Sequence, residues 1–250
     1  MKYPPNYYPH IQQHSPEWLQ IRNGCLTASR IADVVLKKKD GKYYASRDDY
    51  MADLLAEVLT GRASEHYVSV PMMFGIENEP LAVANYEFAM NVECEKIGYI
   101  SHPTIKRAGA SPDRLVGDEG MLETKVPNTK THLKYLEAGV IPEEYLPQCM
   151  WQLACAPDRK WVQFVSYDPR LNEDFGLFVA PRLYRDDEKI AEMEAEALKF
   201  IAEMGERAQR LLKRKGEHRA AITSLPDDAE DSGIPASEIP NADEWIGNRA

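Results

Sequence analysis

Along the chain, stretches with apolar residues at every third or fourth position alternate with short runs in which apolar residues crowd together. Helical period is clearest from Asp48 to Thr60, where Met51, Leu54, Leu55, Val58 and Leu59 share one face and Gly61 supplies the C-terminal cap. A second helix is predicted to start near Asn78, with Pro80 in its first turn and Leu81, Ala84 and Phe88 behind it on the packed side. A third covers about 142–156, opened by Pro142, with Glu143 and Glu144 where carboxylates favour the helix dipole. From Asp186 to Lys213, Ile190, Met193, Ala197, Phe200, Ile201 and Met204 recur at core spacing.

The middle of the chain follows another rhythm. Cys94–Ile100, Ile105–Ala110, Leu115–Val116, Met121–Val126, Trp161–Tyr167 and Phe175–Val179 are short and rich in Val, Ile, Tyr or Phe, which predicts strands. Helices before, between and after such strands make an α/β domain, a central mixed β-sheet flanked by helices. One domain is expected over residues 1–216. Residues 217–250, rich in Pro, Ser, Asp and Glu, are expected to form a flexible tail in which Trp245 marks a candidate docking segment.

Composition narrows the class without deciding it. The 250 residues are 44% hydrophobic and 28% charged, enough for a sizeable core. No run approaches the roughly 18 apolar residues of a membrane span, and the polar opening Met1–His10 lacks a secretion signal, so a cytoplasmic protein with no membrane partner is expected. Cys25, Cys94, Cys149 and Cys155 form no Cys-x-x-Cys pair and the six histidines are scattered, which argues against zinc, a disulfide framework or an iron–sulfur cluster. A net charge of −10 excludes a uniformly basic nucleic-acid coat but leaves room for a local basic groove. Positive charge does gather at Lys37–Lys39 with Lys42, at Lys106–Arg107, and around Lys125, Lys130 and Lys134.

The candidate chemistry lies in Ser111-Pro112-Asp113 followed by Glu123-Thr124-Lys125. Side chains alternate along a strand, so Glu123 and Lys125 project to one side while Thr124 enters the opposite layer. The turn signal Gly117-Asp118-Glu119-Gly120 folds a hairpin that can set Asp113 beside Glu123. Two neighbouring carboxylates repel unless a cation sits between them, and hard oxygen ligands suit Mg²⁺ or Mn²⁺. With a lysine to orient water, that set is suited to phosphodiester hydrolysis. The motif is short, and an ordinary surface hairpin with a Glu–Lys contact fits the spacing as well.

The wider pattern is more specific. Pro112-Asp113 with Glu123-Thr124-Lys125 resembles the PD-(D/E)XK nuclease signature, and its surroundings resemble the phage lambda exonuclease and YqaJ-type viral recombinase family. The matching landmarks run in order: Trp18 to Gly24 with Leu26 to Ser29, Leu54 to Gly61, Gly75 with Glu79, Tyr86 to Phe88, the hairpin, Tyr145 to Gln148, and Tyr167 to Arg170. They span about residues 15–205.

This resemblance implies a restriction-endonuclease-like core and a Mg²⁺-dependent 5′-to-3′ exonuclease acting on double-stranded DNA ends, encoded by a phage or prophage and working in the bacterial cytoplasm. It implies Asp113, Glu123, the main-chain carbonyl of Thr124 and Glu79 as ligands to a pair of Mg²⁺ ions, with Mn²⁺ as a substitute. Lys125 is placed at the nucleophilic water, and Gln148 faces the site. Gln152, one turn on, could share that face, although Met150 stands where the family often has a second glutamine. Arg22, Ser29 and Ser111 match positions that grip a 5′-terminal phosphate; helix capping by Thr27 or Ser29 is the plainer reading for Ser29. Lys39 and Lys42 match a DNA-reaching loop, where a solvated lysine run is equally compatible. Met72 matches a wedge at the end base pair, although an apolar residue there also suits a core. The implied assembly is a ring-shaped homotrimer, and the implied partner is a single-strand annealing protein that takes the 3′ overhang. An endonuclease or repair nuclease on the same fold, and a non-catalytic DNA-end-binding scaffold, are the alternatives.

Overall fold

The computed structural model describes residues 3–63 and 69–223, with side chains to residue 215. Its strands divide between two sheets. The smaller one has the order β1 (Tyr7–Tyr8), β4 (Tyr99–Ser101), β5 (Ala108–Ala110), β2 (Leu26–Thr27). The larger runs β10 (Leu183–Tyr184), β8 (Trp161–Tyr167), β7 (Gly120–Lys125), β6 (Arg114–Val116), β3 (Cys94–Glu95), with β9 (Leu177–Val179) also paired to β8. β7 and β8 run parallel, and β6–β7 and β8–β9 antiparallel, so the larger sheet is mixed as expected.

Helices cover both faces of that sheet. Met121 and Val162 point into one core with α2 (Ile31–Val35), α3 (Ser46–Thr60), α6 (Leu146–Cys155) and α8 (Asp187–Thr223). Leu122 and Val165, of opposite parity, point into a second core with Val83 and Tyr86 of α4 (Val70–Met90). α1 (Pro16–Arg22) is tied through Trp18 to Gly98 just before β4 and to Ser111 just after β5, α5 (Thr129–Ala138) flanks β8 and β9, and α7 (Glu173–Gly176) leads into β9. Helix α6 is apolar almost all round, with Cys149, Met150, Trp151, Leu153, Ala154 and Cys155 all buried, as befits a helix packed on several sides. At the hairpin, Gly117 adopts φ 53° in the turn. Gly120 lies so close to Trp161 that an added Cβ would meet the indole at 2.2 Å and force the ring aside.

Several expectations are corrected. α4 begins at Val70 rather than near Asn78, because Ser69 accepts from the Met72 N–H and Pro71 opens the first turn, which leaves Pro80 inside the helix. Its buried face is Ala82, Val83 and Tyr86, while Leu81, Ala84 and Phe88 face outward; the true helix phase follows the sheet it covers. The run Cys94–Ile100 splits into β3 and β4, which join different sheets. Phe175 and Gly176 are helical, so β9 starts at Leu177. α8 carries the expected core face, Ile190 through Met204, but continues to Thr223; the tail beyond it, with Trp245, lies outside the described residues. All four cysteines are free thiols. Among the described residues, no helix is long and apolar enough to cross a membrane.

Candidate active site

The β6–β7 register pairs Arg114 with Leu122, so Asp113 leaves the ladder directly opposite the 123–125 segment, and its N–H still donates to the Leu122 carbonyl at 3.2 Å. From there, Asp113 Oδ2 accepts from the Thr124 N–H and the Thr124 hydroxyl, both at 2.6 Å. Thr124 therefore has the opposite parity to Glu123, as the alternation predicts, and from that side it fixes Asp113. Glu123 shares Met121's face and points at α6, where its carboxylate accepts from Gln148 at 2.6 Å and Gln152 at 2.5 Å and pairs with the Lys125 ammonium. Glu79, on α4, pairs with Arg114 at 2.9 Å.

These charges act on one another. Burial pushes the Glu123 carboxyl up to about 7, with Lys125 pulling it down and Asp113 pushing it further up. Burial and the charge of Asp113 also raise Glu79. Burial alone would lower Lys125, but Glu123 and Asp113 outweigh it and hold the ammonium above its ordinary range, so Lys125 stays protonated. The Tyr145 ring, stacked on Phe164, lies 5.2 Å from that ammonium. The structure thus brings Asp113, Glu123, Thr124, Lys125, Glu79 and Gln148 into one cluster.

A second cluster stands beside it. Ser111, two residues before Asp113, accepts hydrogen bonds from Trp18 Nε1 at 2.9 Å and Arg22 Nη1 at 3.1 Å. With both lone-pair directions of that hydroxyl engaged, its own proton is left to donate outward. The Arg22 guanidinium lies 3.9 Å over the Trp18 ring, and burial lowers its pKa. Among the described residues Arg22 has no carboxylate within ion-pair distance; its close partners are a ring face and a hydroxyl, with the Glu57 carboxylate acting on it from further off. Arg22, Ser29, Arg30, Tyr50 and Met72 line one cavity of about 300 Å³.

Residues 17–158 match the YqaJ-like viral recombinase domain, more than half of the chain. The solved structure of an alkaline exonuclease, LHK-Exo, from Laribacter hongkongensis is 41% identical, with a TM-score of 0.75, over 81% of this chain and 99% of that one. LHK-Exo in complex with dAMP matches to the same extent. No curated protein matches. The chain belongs to the YqaJ-like viral recombinase family.

This YqaJ-like protein is therefore a nuclease with an alkaline-exonuclease fold. Its remaining anticipated residues are placed as follows. Ser29 sits in a 3₁₀ turn (Ala28–Arg30) and is exposed; Thr27 makes no side-chain capping bond, which removes the simple capping reading at that end. Met72 is 51% exposed at the cavity edge and so is not a core residue. Lys39 and Lys42 stand apart from both clusters on an exposed loop closed by the Lys37–Tyr43 bridge. Sequence reasoning undervalued Gln152 and assigned nothing to Arg114 or Tyr145. Arg114 follows Asp113 directly, and Gln152 follows Gln148 by one helical turn; those two spacings were the available signals.

Proposed function

We propose that this YqaJ-like protein is a divalent-metal-dependent 5′-to-3′ exonuclease on double-stranded DNA, releasing 5′ mononucleotides and leaving a 3′ overhang for a single-strand annealing protein. One observation carries the reading: Ser111 belongs to the Arg22 cluster while Asp113, two residues on, belongs to the acid–lysine cluster. Two residues of extended chain span at most about 7 Å, so an end phosphate held at Ser111 sets a following phosphodiester near Asp113 and Glu123. An unpaired, half-buried arginine backed by a hydroxyl donor is suited to a terminal phosphate. Each cut then exposes a new 5′ phosphate for the same cavity.

The donor set fits a hard cation. Among the described residues, no group of three His, Cys, Asp or Glu side chains is arranged to hold a metal. Two carboxylates and the Thr124 carbonyl form a sparse oxygen site of the kind Mg²⁺ accepts, its other positions being filled by water and substrate phosphate. Asp113 uses only Oδ2 toward Thr124, which leaves Oδ1 for such an ion. When bound, the ion neutralises phosphate charge and lowers the pKa of a bound water. Lys125, its ammonium held by Glu123 and Asp113, would orient the attacking water and steady its hydroxide form. Glu79 meets Arg114 through Oε1 alone, so its other oxygen would serve a second ion. A ring-shaped trimer around the product duplex is proposed from the family resemblance and is tested by mass in solution.

The test is a time course on 5′-phosphorylated linear, 5′-hydroxyl linear and closed circular duplexes, with Mg²⁺ or with chelator. Mg²⁺-dependent mononucleotide release from the phosphorylated linear duplex is expected, slower release from the hydroxyl end, and an intact circle. Cutting of the circle overturns the exonuclease reading, and equal rates at both linear ends overturn the phosphate site.

A further inference from the structure

Gln148 and Gln152 lie one turn apart on α6, and each donates to a different oxygen of Glu123. Their settings are unlike. Gln148 is partly exposed, whereas Gln152 is fully buried, and its Oε1 has no partner among the described residues. An unpaired buried amide carbonyl is destabilising. The neighbouring buried positions of α6 are apolar, so a leucine or methionine at 152 would avoid that cost. The group that Gln152 holds in return is the Glu123 carboxylate.

We infer that Gln152 is a positioning residue that fixes the plane of the Glu123 carboxylate for the divalent ion, and that Gln148 is the exchangeable partner that can leave Glu123 to meet DNA. The inference rests on the nuclease reading above and extends it. The Lys125 ammonium already occupies Glu123 Oε1. Without a permanent donor on Oε2, the carboxylate is free to turn toward Lys125 and close into a two-oxygen ion pair. Gln152 thus keeps the acid from being taken up by its own lysine. Side chains that orient a metal ligand in this way typically change metal affinity or activity by about 10–100-fold when removed.

The experiment uses the full chain as wild type, Gln152→Leu, Gln152→Met and Gln148→Leu. It reads Mn²⁺ binding by calorimetry without DNA, DNA-end binding in chelator, kcat and KM in Mn²⁺, and melting temperature. The two Gln152 variants are expected to weaken Mn²⁺ binding by about 10–100-fold and to lower kcat, with partial recovery at high Mn²⁺ and with KM and end binding unchanged. Gln148→Leu is expected to bind Mn²⁺ within a few-fold of wild type and to alter the DNA-dependent parameters. Gln152→Met, unbranched and near in volume, keeps the test valid if leucine does not pack. Wild-type Mn²⁺ affinity in either folded Gln152 variant overturns the assignment, as does an equal loss of affinity in Gln148→Leu. A wild-type protein that neither binds Mn²⁺ nor digests DNA overturns the nuclease reading itself.

Discussion

The hydrogen bond from Thr124 to Asp113 closes 11 residues of chain, whereas the bond from Arg22 to Ser111 closes 89. The acid–lysine cluster is built on one hairpin register, to which α6 adds Gln148 and Gln152 and α4 adds Glu79. The Arg22 cavity needs α1, the turn before α2, α3, α4 and the chain after β5 to arrive together. Charge is handled differently as well. In the first cluster the carboxylates and the ammonium are in direct contact and compensate one another, while in the second a half-buried guanidinium has no carboxylate within ion-pair distance among the described residues and feels Glu57 only from further off. Carboxylates and an ammonium locked together suit a site completed by a cation and phosphate; a guanidinium whose donors no carboxylate occupies suits holding a chain-end phosphate.

The largest test of that contrast removes one acid. Asp113→Ala is expected to lower Mg²⁺-dependent mononucleotide release by on the order of 10³-fold or more, equivalent to about 4 kcal/mol of barrier, while end binding in chelator persists. Undiminished digestion would dissolve the hairpin site. Arg22→Ala is expected to act on the other cluster alone. Losing a charged hydrogen bond of about 1.5–3 kcal/mol should cost about 10–100-fold on 5′-phosphorylated ends and little on 5′-hydroxyl ends. Equal losses on both would show that Arg22 supports the fold rather than the phosphate. A proton test follows from Glu123, whose carboxyl is raised to about 7 chiefly by burial. Because the working form is the carboxylate, activity at low Mg²⁺ should fall as pH drops from about 8 to 6. Protons and metal compete for one ligand, so saturating Mg²⁺ should move this acid limb to lower pH. An acid limb that stays put at every Mg²⁺ concentration would remove Glu123 from the metal site.

The same contrast explains what was legible beforehand. Strand parity and a Gly-flanked turn are local, so the placement of Glu123 and Lys125 on one face, Thr124 on the other and Asp113 nearby could be read from the residues themselves. The long periodic face of α8 was visible for the same reason. Arg22, Ser29 and Ser111 came only through family resemblance, since no spacing in the chain announces a contact across 89 residues. Phe88 was misassigned because an apolar residue at helical spacing reads as buried, yet the phase of α4 is set by the sheet beneath it, leaving Phe88 91% exposed. Gln152 was underrated because a glutamine in an apolar helix is informative only once the buried acid opposite it is known.

The smallest expected effect concerns a region that belongs to neither cluster. The loop bearing Lys39 and Lys42 is closed by the Lys37–Tyr43 bridge and by the Lys38 N–H donating to the Lys42 carbonyl at 2.7 Å. Its base is tied to α8, where the Tyr43 hydroxyl donates to Glu196 at 2.5 Å, Lys37 pairs with Glu196 at 2.6 Å, and Lys199 donates to the Tyr43 hydroxyl at 2.9 Å. The base is therefore fixed while the tip stays in solvent, an arrangement that offers charge at a distance rather than a shaped site. Lys42 is partly offset by Asp40 at 3.3 Å, and both are well exposed, so that pair adds little. Replacing Lys39 and Lys42 together by alanine should weaken duplex binding by a few-fold and flatten log K against log salt by about 1–2 units, roughly 0.9 for each phosphate no longer neutralised. Asp40→Asn should shift affinity the other way, because it frees Lys42. Neither change should touch the 5′-phosphate preference or Mn²⁺ affinity, since no residue of either cluster lies in the loop. A salt slope identical to that of the wild type would mean that these lysines are ordinary solvated charges, and that end recognition rests on the Arg22 cavity without help from the loop.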